Sequence, residues 1–566
     1  MENKQQTAAD RGREALRILK ENCRHAAEFS ENLLLQIVRD NENTEFGKAH
    51  HFSDIKSVAD YKKQIPFSTY DTYAEQVMRM THGEKNILTV YPIVHYASTS
   101  GSIGVPKSIP VSIHTLRLYG QYTSDVATAL IDDYVRAREG REIKDGKRLL
   151  TATVTQSTVA DGTSRGSISG KMYEHVKDFM LTKVASPSDV LFPKDKMDFK
   201  YLKSFYALKE PDITTIAAPF TTAVFDLLHY IELNWESLCN DIEAGVLSEE
   251  CEIPEAVRSR LQAELQPDPD RAQFLRSEFS KGFETPFVRR IWPNMEYVNA
   301  IGSGGFKIYT DKLRRYTGDI PMTFCNYAAS EAMFAVVTDV ESMDYTLIPQ
   351  GGFYEFLPMD IADDPEEEIM TKTKNLNELE VGKEYEIIVT NLSGFYRYRI
   401  GDIVSIVGYE GESPKLCFYC RKNQMLSIAG EKTNEACVLS VIDKFSTKTG
   451  VDVRDYSVYA DNDITPGRYV LFLEPAEPQP KDKHSAYRDI TDSAMCDANP
   501  SYGAKVRDGI LSPMAIHFVE QETYALYRDI MLTRGVSENQ LKPVRIIDTP
   551  FKEKFFFGLI DEEGSN

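Results

Sequence analysis

Short runs rich in β-branched and aromatic residues, separated by windows of helical spacing, constrain this chain more than any other feature. Residues 90–97, 149–154, 213–217, 386–390, 403–407 and 469–473 read as strands. They alternate with helical windows such as 221–240 and 255–265. That alternation predicts an α/β fold. Ahead of it, Leu16, Leu19, Cys23, Leu34, Ile37 and Val38 recur at helical spacing, so residues 8–40 are expected to form a helix pair. A chain of 566 residues should divide into more than one domain. Candidate breaks are the acidic stretch 360–368 and the Pro-rich, charged stretch 474–483, which reads as an exposed loop.

Charge removes some partners. With 65 Lys and Arg against 86 Asp and Glu, the net charge of -21 would repel nucleic acid and anionic membranes. No window approaches the roughly 18 apolar residues of a membrane span, and residues 1–13 are polar with no apolar leader core, which predicts a cytoplasmic protein. The eight cysteines are scattered and give no disulfide framework. Cys417 and Cys420 form a lone CxxC in an alternating, strand-like stretch, favouring structural cysteines over metal or redox work. Neither GxSxG nor HExxH occurs, so a serine hydrolase or zincin is not supported.

The sharpest local feature is Thr99-Ser100-Gly101-Ser102-Ile103-Gly104-Val105-Pro106-Lys107, directly after a predicted strand. Glycines let the backbone approach an anion, hydroxyls can donate to phosphate oxygens, and Lys107 supplies charge. Pro106 stands where a Walker loop needs Gly, so a kinase-like P-loop is disfavoured. An ordinary Ser/Gly turn would look the same. Tyr327-Ala328-Ala329-Ser330-Glu331 could stack on a base, touch a phosphate and hold Mg²⁺, or could be a helix start capped by Ser330. Gly302-Ser303-Gly304-Gly305 could let backbone approach a flat ring, or be a plain turn. Tyr396-Arg397-Tyr398-Arg399-Ile400-Gly401-Asp402 reads as a turn between strands, with arginines for anions and a carboxylate suited to a ribose diol, or as a hairpin with a surface Arg/Asp pair. Arg421 opens a charged stretch that runs through Gly430, Glu431 and Lys432 and can separate two domains, while residues 534–545 hold Lys542 in a Gly/Pro-punctuated loop.

Taken in this order, the motifs resemble those of the adenylate-forming superfamily. Ile291-Trp292-Pro293-Asn294, Tyr345-Thr346-Leu347-Ile348-Pro349, Tyr354-Glu355-Phe356-Leu357-Pro358, Phe395-Tyr396-Arg397-Tyr398-Arg399 and Asn234-Trp235-Glu236-Ser237-Leu238-Cys239 narrow the resemblance to the auxin-responsive, Gretchen Hagen type, acyl-acid amido synthetases, over nearly the whole chain.

The resemblance implies a ligase using ATP and Mg²⁺. It would adenylate a carboxylic acid, release pyrophosphate, and pass the acyl group to an amino acid amine with loss of AMP. Thr99, Ser100, Gly101, Ser102 and Lys107 fall on its phosphate loop; Gly304 and Tyr327 fall on its adenine site, Ser330 on its phosphate site and Glu331 on its metal site. Asp402 falls on its ribose site, with Arg421 nearby among the nucleotide-binding positions, Lys432 on its hinge and Lys542 on its mobile C-terminal lysine. It further implies a large α/β domain of several subdomains over 1–421, a hinge at 422–430 and a smaller α+β domain over 431–566. The expected partners are small molecules only, and the expected state is a monomer or weak homo-oligomer. Ala328 and Ala329 replace residues that are often Gly or Ser in such enzymes. Val126 falls where the plant enzymes place an acid-contacting Arg, so auxin, jasmonate or benzoate specificity is not carried over. Two alternatives stand beside this reading: an acyl-CoA ligase and a nucleotide-binding protein without turnover. Loss of Lys107, Glu331 or Asp402 would have favoured the second, and all three are present.

Overall fold

A computed structural model describes residues 6–98, 107–303, 306–362, 364–422, 426–429, 431, 433–534, 536 and 541–561. The chain forms two compact units. Among the described residues, the first comprises 6–400 and 404–418, and the second 401–403, 419–536 and 541–561. The acidic stretch 360–368 falls inside the first unit and the stretch 474–483 inside the second.

The first unit begins with the expected helix pair, Ala8–Cys23 and Ala26–Asp40. Thr7 and Asp10 close a reciprocal capping box at its start, satisfying two N–H groups the first turn leaves open. Leu19, Cys23, Leu34 and Ile37, the residues that set the helical period, are fully buried.

A four-stranded parallel sheet follows in the order Lys147–Leu150, Ile213–Phe220, Tyr297–Ile301, Met322–Thr323. Parallel strands need crossovers, and helices Phe199–Lys209, Thr221–Ala244 and Lys307–Thr317 supply them. The long helix buries Leu228, Ile231 and Leu238 in one core with Ile216 and Val298, each worth about 1.5 to 3 kcal/mol of transfer free energy. It stops at Gly245, whose φ of 67° lies in the left-handed region. Of the expected strand at 149–154 only Leu149 and Leu150 fall in the strand Lys147–Leu150; the Thr151 amide still donates to the Ala217 carbonyl at 3.1 Å, and the amide of Val154 donates to the Leu191 carbonyl at 2.7 Å, outside the sheet.

A seven-stranded sheet runs in the order Phe353–Pro358, Glu384–Thr390, Tyr398–Glu410, Ser413–Arg421, Tyr345–Leu347, Ala332–Val337, Asn326–Ala329. Cys417 and Cys420 lie in its strand Ser413–Arg421, as the alternation there predicts. A smaller sheet pairs Ile93–Ser98 with Ser108–Ser112 antiparallel, Ser98 opposite Ser108.

The second unit is α+β. Its sheet has the order Ala515–Phe518, Arg468–Pro475, Val453–Asp461, Ile546–Ile547; the two central strands are antiparallel and each outer strand is parallel to its neighbour. Helices Glu435–Thr449, His484–Ala498, Thr523–Thr533 and Pro550–Phe557 complete it.

Candidate functional site

The Tyr327 to Glu331 motif is a β-hairpin. Ala329 pairs with Ala332, leaving Ser330 and Glu331 as the two residues of the turn. This corrects the helix-start alternative: Ser330 caps no helix, because strand pairing overrides the helical propensity of its alanine neighbours. Both turn residues are half-exposed, whereas Tyr327 is buried and stacked on Phe334 with centroids 5.1 Å apart. Tyr345 and Phe418 stand at 6.2 and 6.0 Å from the Tyr327 ring.

The turn is held from two sides. Asn391 Nδ2 donates to the Glu331 carbonyl at 2.8 Å. The Tyr119 hydroxyl donates to the Ala332 carbonyl at 3.2 Å and also to the Ala329 carbonyl. Burial pushes the Tyr119 phenol well above its ordinary pKa, and the Glu331 carboxylate adds to the shift, so this hydroxyl stays a donor. Neither Asn391 nor Tyr119 was singled out by sequence; the one available signal was the Asn391-Leu392-Ser393-Gly394 string, a turn composition after a strand.

Gly302 has a packing reason to be glycine. A Cβ there would stand 2.5 Å from Thr310 Oγ1 and 2.6 Å from the Phe324 ring. Gly304, like Thr99, Ser100, Gly101, Ser102 and Lys432, lies outside the described residues. Lys107 is described and exposed, its Nζ 5.1 Å from the centroid of Tyr70.

The segment from Tyr396 to Asp402 is not a turn. Arg397, at φ 48°, ends the preceding loop, and Tyr398–Glu410 is one strand that contains Gly401 and Asp402. Its arginines also do other work than expected. Arg397 is fully buried, forms a two-pronged pair with Glu355 at 2.9 and 2.8 Å, and donates to the carbonyls of Lys62 and Ile65 at 2.8 Å each. Arg399 Nε holds Glu386 at 2.7 Å. Both guanidinium groups are engaged by internal carboxylates, which corrects their reading as anion-recognition groups.

In the second unit Asp402 and Arg421 are brought together: Arg421 Nε donates to Asp402 Oδ1 at 2.7 Å, and the Asp402 side chain is 5% exposed. The pair is therefore half sheltered rather than a surface pair. Glu431, beside the expected hinge lysine, is buried, and its carboxylate accepts from the amides of Ile428 and Ala429 at 2.8 Å each and from the Tyr469 hydroxyl. Burial alone would raise its pKa, but these donors outweigh it and hold the carboxyl below its ordinary range.

Lys542 is exposed, three residues before a buried anchor. Arg545 Nη1 donates to Asp455 Oδ1 at 2.6 Å and to the Tyr456 carbonyl at 2.8 Å, and its Nε lies 3.2 Å from Glu435. The segment continues into Ile546–Ile547, where Ile546 pairs with Val458. Among the described residues no group of three His, Cys, Asp or Glu could hold a metal ion by itself. No described helix is long and apolar enough to cross a membrane.

The sequence profile of the GH3 family N-terminal domain matches residues 15–322, that of the central domain residues 345–421, and that of the C-terminal domain residues 437–550. The chain belongs to the GH3 family. Among curated relatives it is 27% identical to a probable indole-3-acetic acid-amido synthetase GH3.1 of Arabidopsis thaliana, over 96% of this chain and 93% of that one. It is 28% identical to indole-3-acetic acid-amido synthetase GH3.8 of Oryza sativa subsp. indica, over 95% and 91%. Among solved structures, GH3.15 acyl acid amido synthetase superposes with a TM-score of 0.81 at 24% identity, over 99% and 98% of the two chains. The large α/β part with a smaller α+β part is thus the GH3 fold. As a GH3 protein the chain is an acyl-acid amido synthetase: a ligase that adenylates an acid and conjugates the acyl group to an amine.

Proposed function

We propose that in this GH3 enzyme the Ser330–Glu331 turn receives the triphosphate and its Mg²⁺ during adenylation of a carboxylic acid. One observation carries this reading: a half-exposed hydroxyl and carboxylate share a two-residue turn whose flanking carbonyls are all hydrogen-bonded. The donor set fits Mg²⁺, a hard cation usually bound through one or two carboxylates together with substrate phosphates. When bound, the ion would neutralise charge on the phosphates.

Glu331 would hold the metal, and Ser330 with Thr99, Ser100, Gly101, Ser102 and Lys107 would bind phosphate oxygens. Tyr327 and Gly304 would form the adenine side and Asp402, oriented by Arg421, would accept from the ribose hydroxyls. The substrate carboxylate attacks the α-phosphorus and pyrophosphate leaves; the acid is already ionised at neutral pH, so this step needs no general base. Like charges meet in that step, and Lys542 supplies compensating charge when the 431–566 domain turns about a hinge at 422–430, with Lys432 just beyond it. In the second step a neutral amino acid amine attacks the acyl carbon, forming the amide and expelling AMP.

The partners are small molecules, acid and amino acid, and the net charge of -21 keeps a cytoplasmic, monomeric or weakly associating enzyme away from nucleic acid and anionic membranes. The related enzymes are named for indole-3-acetic acid, and a GH3.15 structure holds 2,4-DB. In this chain Val126, at the acid-contacting position inferred from sequence, is fully buried in the core. The acid is therefore sought by an ATP/pyrophosphate exchange screen over a carboxylic acid library, followed by mass detection of an amide on adding amino acids. Faster thioester formation with CoA than amide formation would overturn the acceptor assignment.

A further inference from the structure

Two hydrogen-bonding side chains outside the motifs converge on the Ser330–Glu331 turn from different elements. Tyr119 comes from helix Ile113–Gln121. It is 8% exposed, and its hydroxyl reaches the carbonyls of Ala329 and Ala332, the residues on either side of the turn. Asn391 comes from the loop after strand Glu384–Thr390. It is 1% exposed and uses both ends of its amide: Nδ2 donates to the Glu331 carbonyl at 2.8 Å, while Oδ1 accepts from the amides of Ser393 and Phe395 at 2.9 and 3.0 Å.

The two supports are themselves joined. Ser393 Oγ accepts from the Ser112 amide at 3.0 Å and lies 3.3 Å from Thr115 Oγ1. Ser112 caps the helix that carries Tyr119, its side chain accepting from the Thr115 amide at 3.3 Å. Ser112 also ends the strand Ser108–Ser112 that directly follows Lys107. A continuous path thus runs from the strand after Lys107 through Ser112, Ser393 and Asn391 to Glu331, and returns through the Tyr119 helix. A two-residue turn has few contacts of its own with which to fix a side chain; here the Glu331 carbonyl and the two carbonyls flanking the turn are held by buried donors, which fixes the backbone from which the carboxylate projects.

We propose that Tyr119 and Asn391 are positioning residues that set the Glu331 carboxylate for the metal–ATP complex. This rests on the reading of Glu331 as the metal-holding carboxylate. Neither residue touches substrate; each acts through the turn.

The test measures coupling between metal and nucleotide by calorimetry, using Mn²⁺ as the probe ion and ATP, with no acid needed. The quantity is the ratio of ATP Kd without and with Mn²⁺. Tyr119→Phe removes the donor and keeps the ring, and Asn391→Asp keeps the acceptor for Ser393 and Phe395 while removing the donor to Glu331. Each should lower the coupling ratio ~3- to 10-fold and leave metal-free ATP affinity within ~2-fold, the scale of outer-shell partners being ~10-fold or more when they act on a ligand directly. Glu331→Gln should abolish the coupling, and adding Tyr119→Phe to it should change nothing more, since a residue acting through Glu331 has nothing left to act on. A purely structural role would lower thermal stability while each single variant kept the wild-type coupling ratio. If Glu331→Gln removes coupling while both other variants keep it, or if the double variant loses metal-free ATP affinity as well, the positioning role is wrong and the Glu331 reading stands. If Glu331→Gln itself keeps full coupling, the Glu331 reading fails and the positioning role with it.

Discussion

Glu474 carries a buried charge whose removal should stabilise the second unit at alkaline pH. It stands opposite Asp455 in the antiparallel pair Val453–Asp461 and Arg468–Pro475, and the two carboxylates are 4% and 3% exposed. Asp455 has Arg545 at 2.6 Å, whereas Glu474 accepts from the amides of Tyr524 and Glu522 at 3.0 and 3.3 Å. Burial first, against the help of the Tyr524 amide, and then the Asp455 and Glu522 charges push the Glu474 carboxyl from 4.5 to about 7. A folded pKa above the unfolded one means the folded state binds the extra proton, so the contribution of Glu474 to stability is fully present below pH 4.5 and is lost as pH rises through about 7. At about 1.4 kcal/mol per unit, the full loss is about 3 kcal/mol. Glu474→Gln keeps an acceptor for the amides and cannot ionise. The charge-assisted part of those bonds, about 1 kcal/mol, is lost, so at pH 8 the variant should be about 2 kcal/mol more stable, and at pH 5 equal to wild type or slightly worse. Both tryptophans, Trp235 and Trp292, lie in the first unit, so their fluorescence reports the wrong part. Hydrogen exchange of peptides spanning 453–475 and 515–530, read from pH 5 to 8 after correction for intrinsic rates, reports the right one. Equal pH dependence in the two proteins would refute the argument.

Lys542→Ala should slow adenylation ~100-fold, the scale of one lost electrostatic group at a transition state, yet consume a supplied acyl-adenylate plus amine at near wild-type rate; equal damage to both half-reactions in single-turnover assays would remove it from the first step. Asp402→Ala should raise the ATP concentration needed for exchange, since hydrogen bonds to a charged group are worth about 1.5 to 3 kcal/mol each, and an unchanged KM for ATP would exclude a ribose role. Arg397→Met should leave Glu355 buried without its partner and lower the stability of the first unit by about 3 to 5 kcal/mol, measured by urea titration of tryptophan fluorescence, while the folded fraction keeps the wild-type KM for ATP.

The elements read from sequence were legible because their residues carry a period: Leu19, Cys23, Leu34 and Ile37 lie on buried helix faces, and the strand Arg468–Pro475 is a nearly continuous apolar run. Where the period was shared by two structures, long-range pairing decided. Residues 151–154 continue the strand-like run, but after Thr151, whose amide still reaches the Ala217 carbonyl, the backbone turns away and Val154 bonds the Leu191 carbonyl. The Ser330 region has the alanines of a helix and became a hairpin because Ala332–Val337 lies between Asn326–Ala329 and Tyr345–Leu347 in the sheet. Gly401 suggested a turn by its residue type; it sits inside a strand with φ 79°, a conformation glycine adopts readily.

The arginines show why the chemistry of a motif was only partly readable. Arg397 and Arg399 are separated by one residue and look equally fit for an anion, yet their partners, Glu355 and Glu386, lie 42 and 13 residues away in sequence. Nothing local announces those partners. A guanidinium taken out of water needs a carboxylate and carbonyls around it, so a buried arginine is spent on structure, and exposure is what separates a candidate ligand from a brace. By that measure Lys107 and Lys542 are exposed, and Ser330 and Glu331 half-exposed. Arg545, Asn391 and Tyr119 are buried; Asn391 and Tyr119 hold backbone carbonyls, and Arg545 holds the Tyr456 carbonyl together with the Asp455 carboxylate. Sequence reading finds the first kind because few chemistries need a lysine after a Ser/Gly loop, and misses the second because a buried Asn or Tyr carries no signature until the fold supplies the carbonyl it binds.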